Sequence, residues 1–138
     1  MIRDEALRND LTLYGVVNMD DYQKYEKACN RIRIANKRLL GEFEQWLKVS
    51  GLSAKTIDKH LSNTDFYVNE DLLYEDAIPA REGAGEISMF LGYWFIRKAM
   101  WANPSTIKGN AASLKKFYTF MNEKGLVEKD DLQVLKRT

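Results

Sequence analysis

The sequence has few of the residues that build disulfides, metal clusters and turns. It contains one cysteine, Cys29, and one histidine, His60, so it can form no internal disulfide and no histidine-based metal site within a single chain. Two prolines and eight glycines interrupt 138 residues, which leaves room for long helices. We therefore expect a reducing, cytoplasmic setting and no cofactor or bound metal.

Long apolar runs are missing as well. The most apolar run, Met89 to Ile96, contains Gly92 and is too short to span a bilayer. The first ten residues, "MIRDEALRND", are charged and lack the apolar stretch of a signal peptide. Hydrophobic residues still make up 45% of the chain, enough for a packed core. These features predict one globular domain without a membrane partner.

The signatures of common enzyme classes are absent too. The glycine-containing "REGAGE" lacks the Lys-Ser/Thr of a phosphate-binding loop, and the acids of 65–86 do not have the spacing of a calcium loop. Cys29 and His60 are better interpreted as a packed cysteine and a surface histidine than as a nucleophilic pair. We expect neither enzymatic activity nor a small-molecule substrate.

Apolar residues recur with helical spacing along the first part of the chain. The spacing predicts one helix from about Asp20 to Val49, or two that meet near Asn36, with Gly51 as the left-handed residue after the end. A short helix is predicted before it, over 3–13, with Gly15 as its stop and Asn18 or Asp20 as the next N-cap. The spacing alternates between three and four at Tyr22, Tyr25, Cys29, Ile32, Asn36, Leu39, Phe43 and Trp46.

The rest of the chain is divided by residues that start or stop helices. Ser53 and Asn103 are suited to N-cap positions, the latter with Pro104 at the favoured first helical residue. An acidic, irregular segment is expected over 69–85. Helices are predicted from Ser53, over 84–101, from Asn103 to before Gly125, and over 130–135. The predicted fold class is all-α, a bundle of five to seven helices.

Charge is distributed unevenly despite a formal net charge of +1. Residues 65–86 carry seven acids against Arg81 alone, whereas 105–116 carry three lysines and no acid. The helices that start at Ser53 and Asn103 also leave short polar side chains and lysines once their apolar faces are assigned. Such groups donate to phosphate oxygens, and Asn63 and Asn110 are suited to reading base edges. The predicted DNA-binding residues are Lys55, Thr56, Lys59, Asn63, Ser105, Thr106, Lys108, Asn110, Ser113 and Lys116.

Two segments together resemble a known DNA-binding domain. "LLGEFEQWLKVSGLSAKTIDKHLSNTDFYV" has an apolar helix ending in Phe-x-x-Trp-Leu, followed by Gly-Leu-Ser-x-x-Thr. "NPSTIKGNAASLKKFYTFMNEKGLV" has Ser-Thr-Ile, Leu-x-x-Phe-Tyr-x-Phe and a terminal Gly-Leu-Val. In this order they resemble the N-terminal, core-binding domain of tyrosine recombinases (phage integrases).

The resemblance implies a SAM-like helical bundle that takes part in DNA integration and recombination. It divides the chain into an N-terminal helical extension, 1–38, a core-binding domain, 39–127, and a tail or linker start, 128–138. It also implies that the helices starting at Ser53 and Asn103 lie at the DNA major groove. The family's catalytic arginines, histidine and tyrosine have no counterpart, so we expect no strand cleavage by this chain.

A second function stays open at the level of sequence. The seam from Tyr22 to Trp46 also suits a helical protein-interaction or oligomerisation domain, with Asn36 setting the register between copies. Double-stranded DNA is the predicted partner, with self-association or a recombinase catalytic domain as further partners.

Overall fold

Every regular element of the described chain is helical, as the periodicity predicts. The structure is a computed structural model that describes the backbone of residues 13–97 and 104–136 and the side chains of 20–92 and 105–133. Its main helices are α1 (Leu13–Val49), α2 (Ala54–Phe66), α3 (Ile87–Arg97), α4 (Pro104–Glu123) and α5 (Lys129–Lys136). A π-helical turn, Tyr67–Asp71, and two 3₁₀ turns, Ala80–Glu82 and Ala84–Glu86, connect α2 to α3.

Helix α1 begins earlier than the sequence pattern predicts. It runs through Gly15, so the predicted stop at this residue and the predicted N-caps at Asn18 and Asp20 are wrong. One glycine inside a long helix costs only about 1 kcal/mol, which neighbouring turns can offset. The end was predicted correctly: Gly51 has φ +85°, and its N–H donates to the Lys48 carbonyl at 3.0 Å. The helix predicted over 3–13 lies outside the described residues, apart from its last residue.

The chain divides into two compact units, residues 1–31 and 32–138. In the first, the described side chains include Cys29, which is buried as predicted. Tyr22 Oη donates to Glu26 Oε2 at 3.2 Å one turn further along α1, and this contact raises the pKa of the Tyr22 phenol. The second unit includes residues 32–38, which the sequence analysis assigned to the N-terminal extension.

The core of the second unit is a cluster of aromatic rings between α1 and α4. Phe43 is fully buried, with its ring centroid 5.2 Å from that of Phe117 and 5.5 Å from that of Phe120. Trp46 stacks on Phe43 at 6.0 Å and donates from Nε1 to Glu123 Oε1 at 3.0 Å. These contacts fix the last turns of α1 along α4.

Two buried tyrosines hold the connection between α2 and α3 against the core. Tyr67 Oη donates to the Gly83 carbonyl, and Tyr118 Oη donates to the Ala80 carbonyl, both at 2.6 Å. Burial raises the pKa of both phenols well above the ordinary value. The segment predicted as irregular is therefore held by one hydrogen bond between its own turns, from Tyr67, and by one from α4, from Tyr118.

The C-terminal helix belongs to the same unit. Helix α5 packs against α4 and against the turn over 84–86, although 128–138 was predicted as a tail or linker. Gly125, with φ +82°, ends α4 as predicted. Helix α3 buries Ile87, Phe90 and Leu91, but Met89 is 72% exposed. The expectation that α3 is covered on nearly all sides is therefore wrong for its described part.

Candidate nucleic-acid interface

Helix α2 begins with the predicted cap. Ser53 Oγ accepts the Thr56 N–H at 3.3 Å and donates to Thr56 Oγ1 at 3.0 Å. The Thr56 side chain is half-buried, and its hydroxyl oxygen already accepts a hydrogen bond within the cap. Lys55 stays exposed beside it. The start of α2 thus presents one free lysine rather than the full set of donors that the sequence predicts.

A hydrogen-bond network on Ser113 joins α2 to α4. Ser113 Oγ donates to the Gly109 carbonyl at 3.0 Å, accepts from Asn63 Nδ2 at 3.0 Å and lies 2.8 Å from His60 Nδ1. A hydroxyl has one hydrogen, so all three contacts are satisfied together only when Nδ1 of His60 carries the proton. The network assigns the Nδ1–H tautomer to His60 and sets the register between the helices.

Three polar residues expected at the surface are buried. Ser113 is fully buried, Asn110 is 4% exposed and His60 is 8% exposed. Asn110 Nδ2 donates to the Thr106 carbonyl at 3.0 Å inside its own helix. The expectation that these side chains face outward was wrong, because His60 and Ser113 bond to each other between the helices and Asn110 bonds within its own helix. Asn110 and Ser113 are therefore not available to contact DNA directly.

The other predicted residues are exposed or half-buried. Lys55, Lys59, Ser105, Thr106 and Lys108 are exposed, and Thr56, Asn63 and Lys116 are half-buried. We call this set the α2–α4 face.

Lys59 spans the contact between the two helices. Its Cε and Nζ lie 3.7 and 3.9 Å from the position that a Cβ on Gly109 would occupy. Lys116 follows Gly109 by two turns and therefore lies on the same side of α4. Asp58 and Asp65 lie on the flank of α2 that is turned away from α4. Positive charge is thus concentrated where the two helices meet.

The pKa of His60 is lowered by its burial and by this positive environment. Burial lowers it below the ordinary value, and the positive charges of Lys116 and Lys59 lower it further. The imidazole is consequently neutral at pH 7, which agrees with the tautomer that the Ser113 network requires.

Acidification is expected to destabilise the fold through His60. The folded pKa is lowered, so its contribution to stability is complete above the unfolded pKa of about 6.5 and is lost as the pH falls below it. Urea denaturation of the wild type and of His60→Asn should be measured from about pH 7.5 to about pH 5. Because the chain has no other histidine, the difference between the two curves isolates this group. Parallel curves would contradict the prediction.

The seam proposed for self-association is partly used within the second unit. Asn36 is buried, and its Nδ2 donates to the Val68 carbonyl at 3.1 Å and to Asn69 Oδ1 at 2.8 Å. Both amide hydrogens are therefore occupied, so they are not free to set the register with another copy. Phe43, on the same seam, lies in the aromatic cluster described above.

A pocket of about 270 Å³ lies on the acidic part of the surface. Asp71 lines this pocket, and its pKa is raised mainly by burial and further by the negative charge of Glu86. Among the described residues, no group of three or more histidine, cysteine or carboxylate side chains is arranged to hold a metal ion. The pocket is also lined by Leu72, Tyr74, Glu75, Asp76, Ile78, Met89 and Phe90.

Comparison with known proteins assigns no relative. No family model, curated protein or solved structure matches this chain. Within the described ranges, no helix combines the length and apolar character needed to cross a bilayer.

Proposed function

We propose that this chain is a non-catalytic module that binds double-stranded DNA through the α2–α4 face. The observation that carries the proposal is the packing of α2 against α4, which gathers Lys59 and Lys116 on one side of the pair. Segregated lysines at the surface supply the phosphate contacts on which most DNA affinity depends.

The module is of the SAM-like, core-binding type found in tyrosine recombinases. Support comes from the two segments that resemble that family, since they correspond to the end of α1 with α2 and to α4. Helix α2 packs against α4, and the end of α1 contacts α4 through Phe43. Strand cleavage in recombination would then be supplied by a separate catalytic domain.

The face assigns different tasks to its residues. Lys55, Lys59 and Lys108 contact phosphates, because these three lysines are exposed. Asn63 remains the candidate base reader, since its side chain is only half-buried. The contact with Ser113 uses one amide hydrogen, which leaves the other hydrogen and the amide oxygen for a base. Asn110 is withdrawn from this role because its side chain is buried.

Charge reversal on the face should weaken DNA binding. Fluorescence anisotropy with a labelled random duplex at low salt would compare the wild type with Lys59→Glu and Lys108→Glu. Each change removes a charged contact, so we expect an affinity loss of about tenfold or more. For the wild type, log affinity should fall linearly with log salt concentration, and each change should reduce the slope by about 0.9.

Lys129→Glu provides the matched control. Lys129 is exposed at the first position of α5, where a carboxylate favours the helix dipole, and the change in net charge is the same. Its affinity should stay close to that of the wild type. Absence of duplex binding, or equal losses in all three variants, would contradict the proposal.

A further inference from the structure

Three nitrogen-bearing side chains, those of Lys59, His60 and Lys116, lie on the sides of α2 and α4 that face each other. Lys59 precedes His60 on α2, and Lys116 lies one turn after Ser113 on α4. Burial lowers the pKa of the His60 imidazole, and the charges of Lys116 and Lys59 lower it further. The Ser113 network fixes the position of the imidazole at this contact.

The second ring nitrogen of His60 keeps some exposure to solvent, although the residue as a whole is only 8% exposed. Nδ1 is bonded to Ser113 Oγ, whereas Nε2 forms no hydrogen bond with any described residue. Thr64 Oγ1 is the one buried side-chain nitrogen or oxygen, among the described residues, that lacks a partner. Nε2 is therefore not enclosed. In the Nδ1–H tautomer Nε2 carries a lone pair and can only accept a hydrogen bond, whereas protonation turns it into a donor.

Within the described ranges, no carboxylate faces this group. Asp58 and Asp65 lie on the opposite flank of α2, and Asp71, in the turn that follows α2, responds to Glu86. Burial and the two lysines account for the shift at His60. An anion bound at the edge of the contact would therefore meet three positive or protonatable groups without competing negative charge.

We infer that Lys59, His60 and Lys116 form a binding subsite for one phosphate group of the duplex, and that His60 takes up a proton when the subsite is filled. The inference rests on the proposed function and names the groups that hold one phosphate. A phosphate oxygen accepts the Nε2–H bond, and its negative charge favours the protonated imidazole, which burial and the two lysines disfavour in the free protein. The proton comes from solvent, and no covalent bond changes.

Proton uptake makes DNA affinity depend on pH in a defined way. Between the His60 pKa values of the free and the bound protein, affinity should rise by up to about tenfold for each unit by which the pH falls. His60→Asn keeps a donor at the position of Nδ1 for Ser113 but takes up no proton. In this variant the affinity should be nearly independent of pH from about 7.5 to about 5.5.

The experiment combines duplex anisotropy across this pH range with NMR titration of the His60 ring. We expect the His60 pKa to be higher in the duplex complex than in the free protein. Duplex binding with equal pH dependence in the wild type and in His60→Asn would overturn the subsite and leave the proposed function standing. If the duplex does not bind, the proposed function fails, and inorganic phosphate then tests the subsite alone: an unchanged His60 pKa overturns it, and a raised one supports it.

Discussion

Replacing Phe43 with alanine is expected to lower the free energy of unfolding by about 3–5 kcal/mol. The ring is fully enclosed and contacts Phe117 and Phe120 on α4 as well as Trp46 on its own helix. Its removal leaves a cavity between two helices whose rings are already fixed by one another, so the site cannot collapse to fill it. Chemical denaturation monitored by circular dichroism would measure the loss.

Phe66→Ala is the matched control, because the same atoms are removed at a side chain that is 47% exposed. Phe66 contacts Phe90 at a ring distance of 6.2 Å, so some destabilisation is expected, on the order of 1 kcal/mol. Equal losses at the two positions would mean that the aromatic cluster between α1 and α4 does not dominate the core.

The helices themselves were predictable because the sequence marks their ends by local chemistry. Ser53 is a side-chain cap, and Gly51 and Gly125 adopt the left-handed conformation that other residues avoid. Such signals depend only on a few neighbouring residues. The early start of α1 was missed for the same reason: Gly15 carries a local stop signal, which the rest of the helix overrides.

The buried face of α2 was predicted less well, although a signal was present. Ile57, His60 and Thr64 follow the spacing of three and four that marks one side of a helix, and all three are buried. Hydropathy alone assigned His60 to the surface. A polar residue can occupy such a position when a partner satisfies it, and that partner, Ser113, lies 53 residues away on another helix. No local pattern identifies this pairing.

The candidate site was predictable in its lysines but not in its geometry. Lysine side chains are long and charged and remain exposed in most contexts. Lys55, Lys59 and Lys108 could therefore be assigned to the surface from sequence. Small polar residues such as Ser113 suit either a solvated face or a close helix contact, and only the packing of α2 on α4 distinguishes the two. The position of Lys59 over Gly109 follows from that packing as well.

Replacing Gly83 with alanine is expected to cost about 2–3 kcal/mol through overpacking. A Cβ at this position would lie 2.5 Å from Tyr118 Oη and 2.6 Å from Leu72 Cδ1, and both residues belong to the core. Its φ of −88° is ordinary, so the cost comes from the neighbours rather than from the backbone. A shift of Gly83 to relieve the contacts would also strain the bond that its carbonyl accepts from Tyr67 Oη.

Two variants distinguish overpacking at Gly83 from a general intolerance of substitutions in the connection between α2 and α3. Gly85→Ala changes an exposed glycine with no atom within 4 Å of the added Cβ, so its effect should stay within about 0.5 kcal/mol. Tyr118→Phe removes the hydroxyl that the Cβ would meet, at the cost of the bond to the Ala80 carbonyl. In that background Gly83→Ala should cost less than in the wild type, by about 0.5–1 kcal/mol in a double-mutant cycle. Strict additivity of the two changes would show that Tyr118 does not limit the space at Gly83.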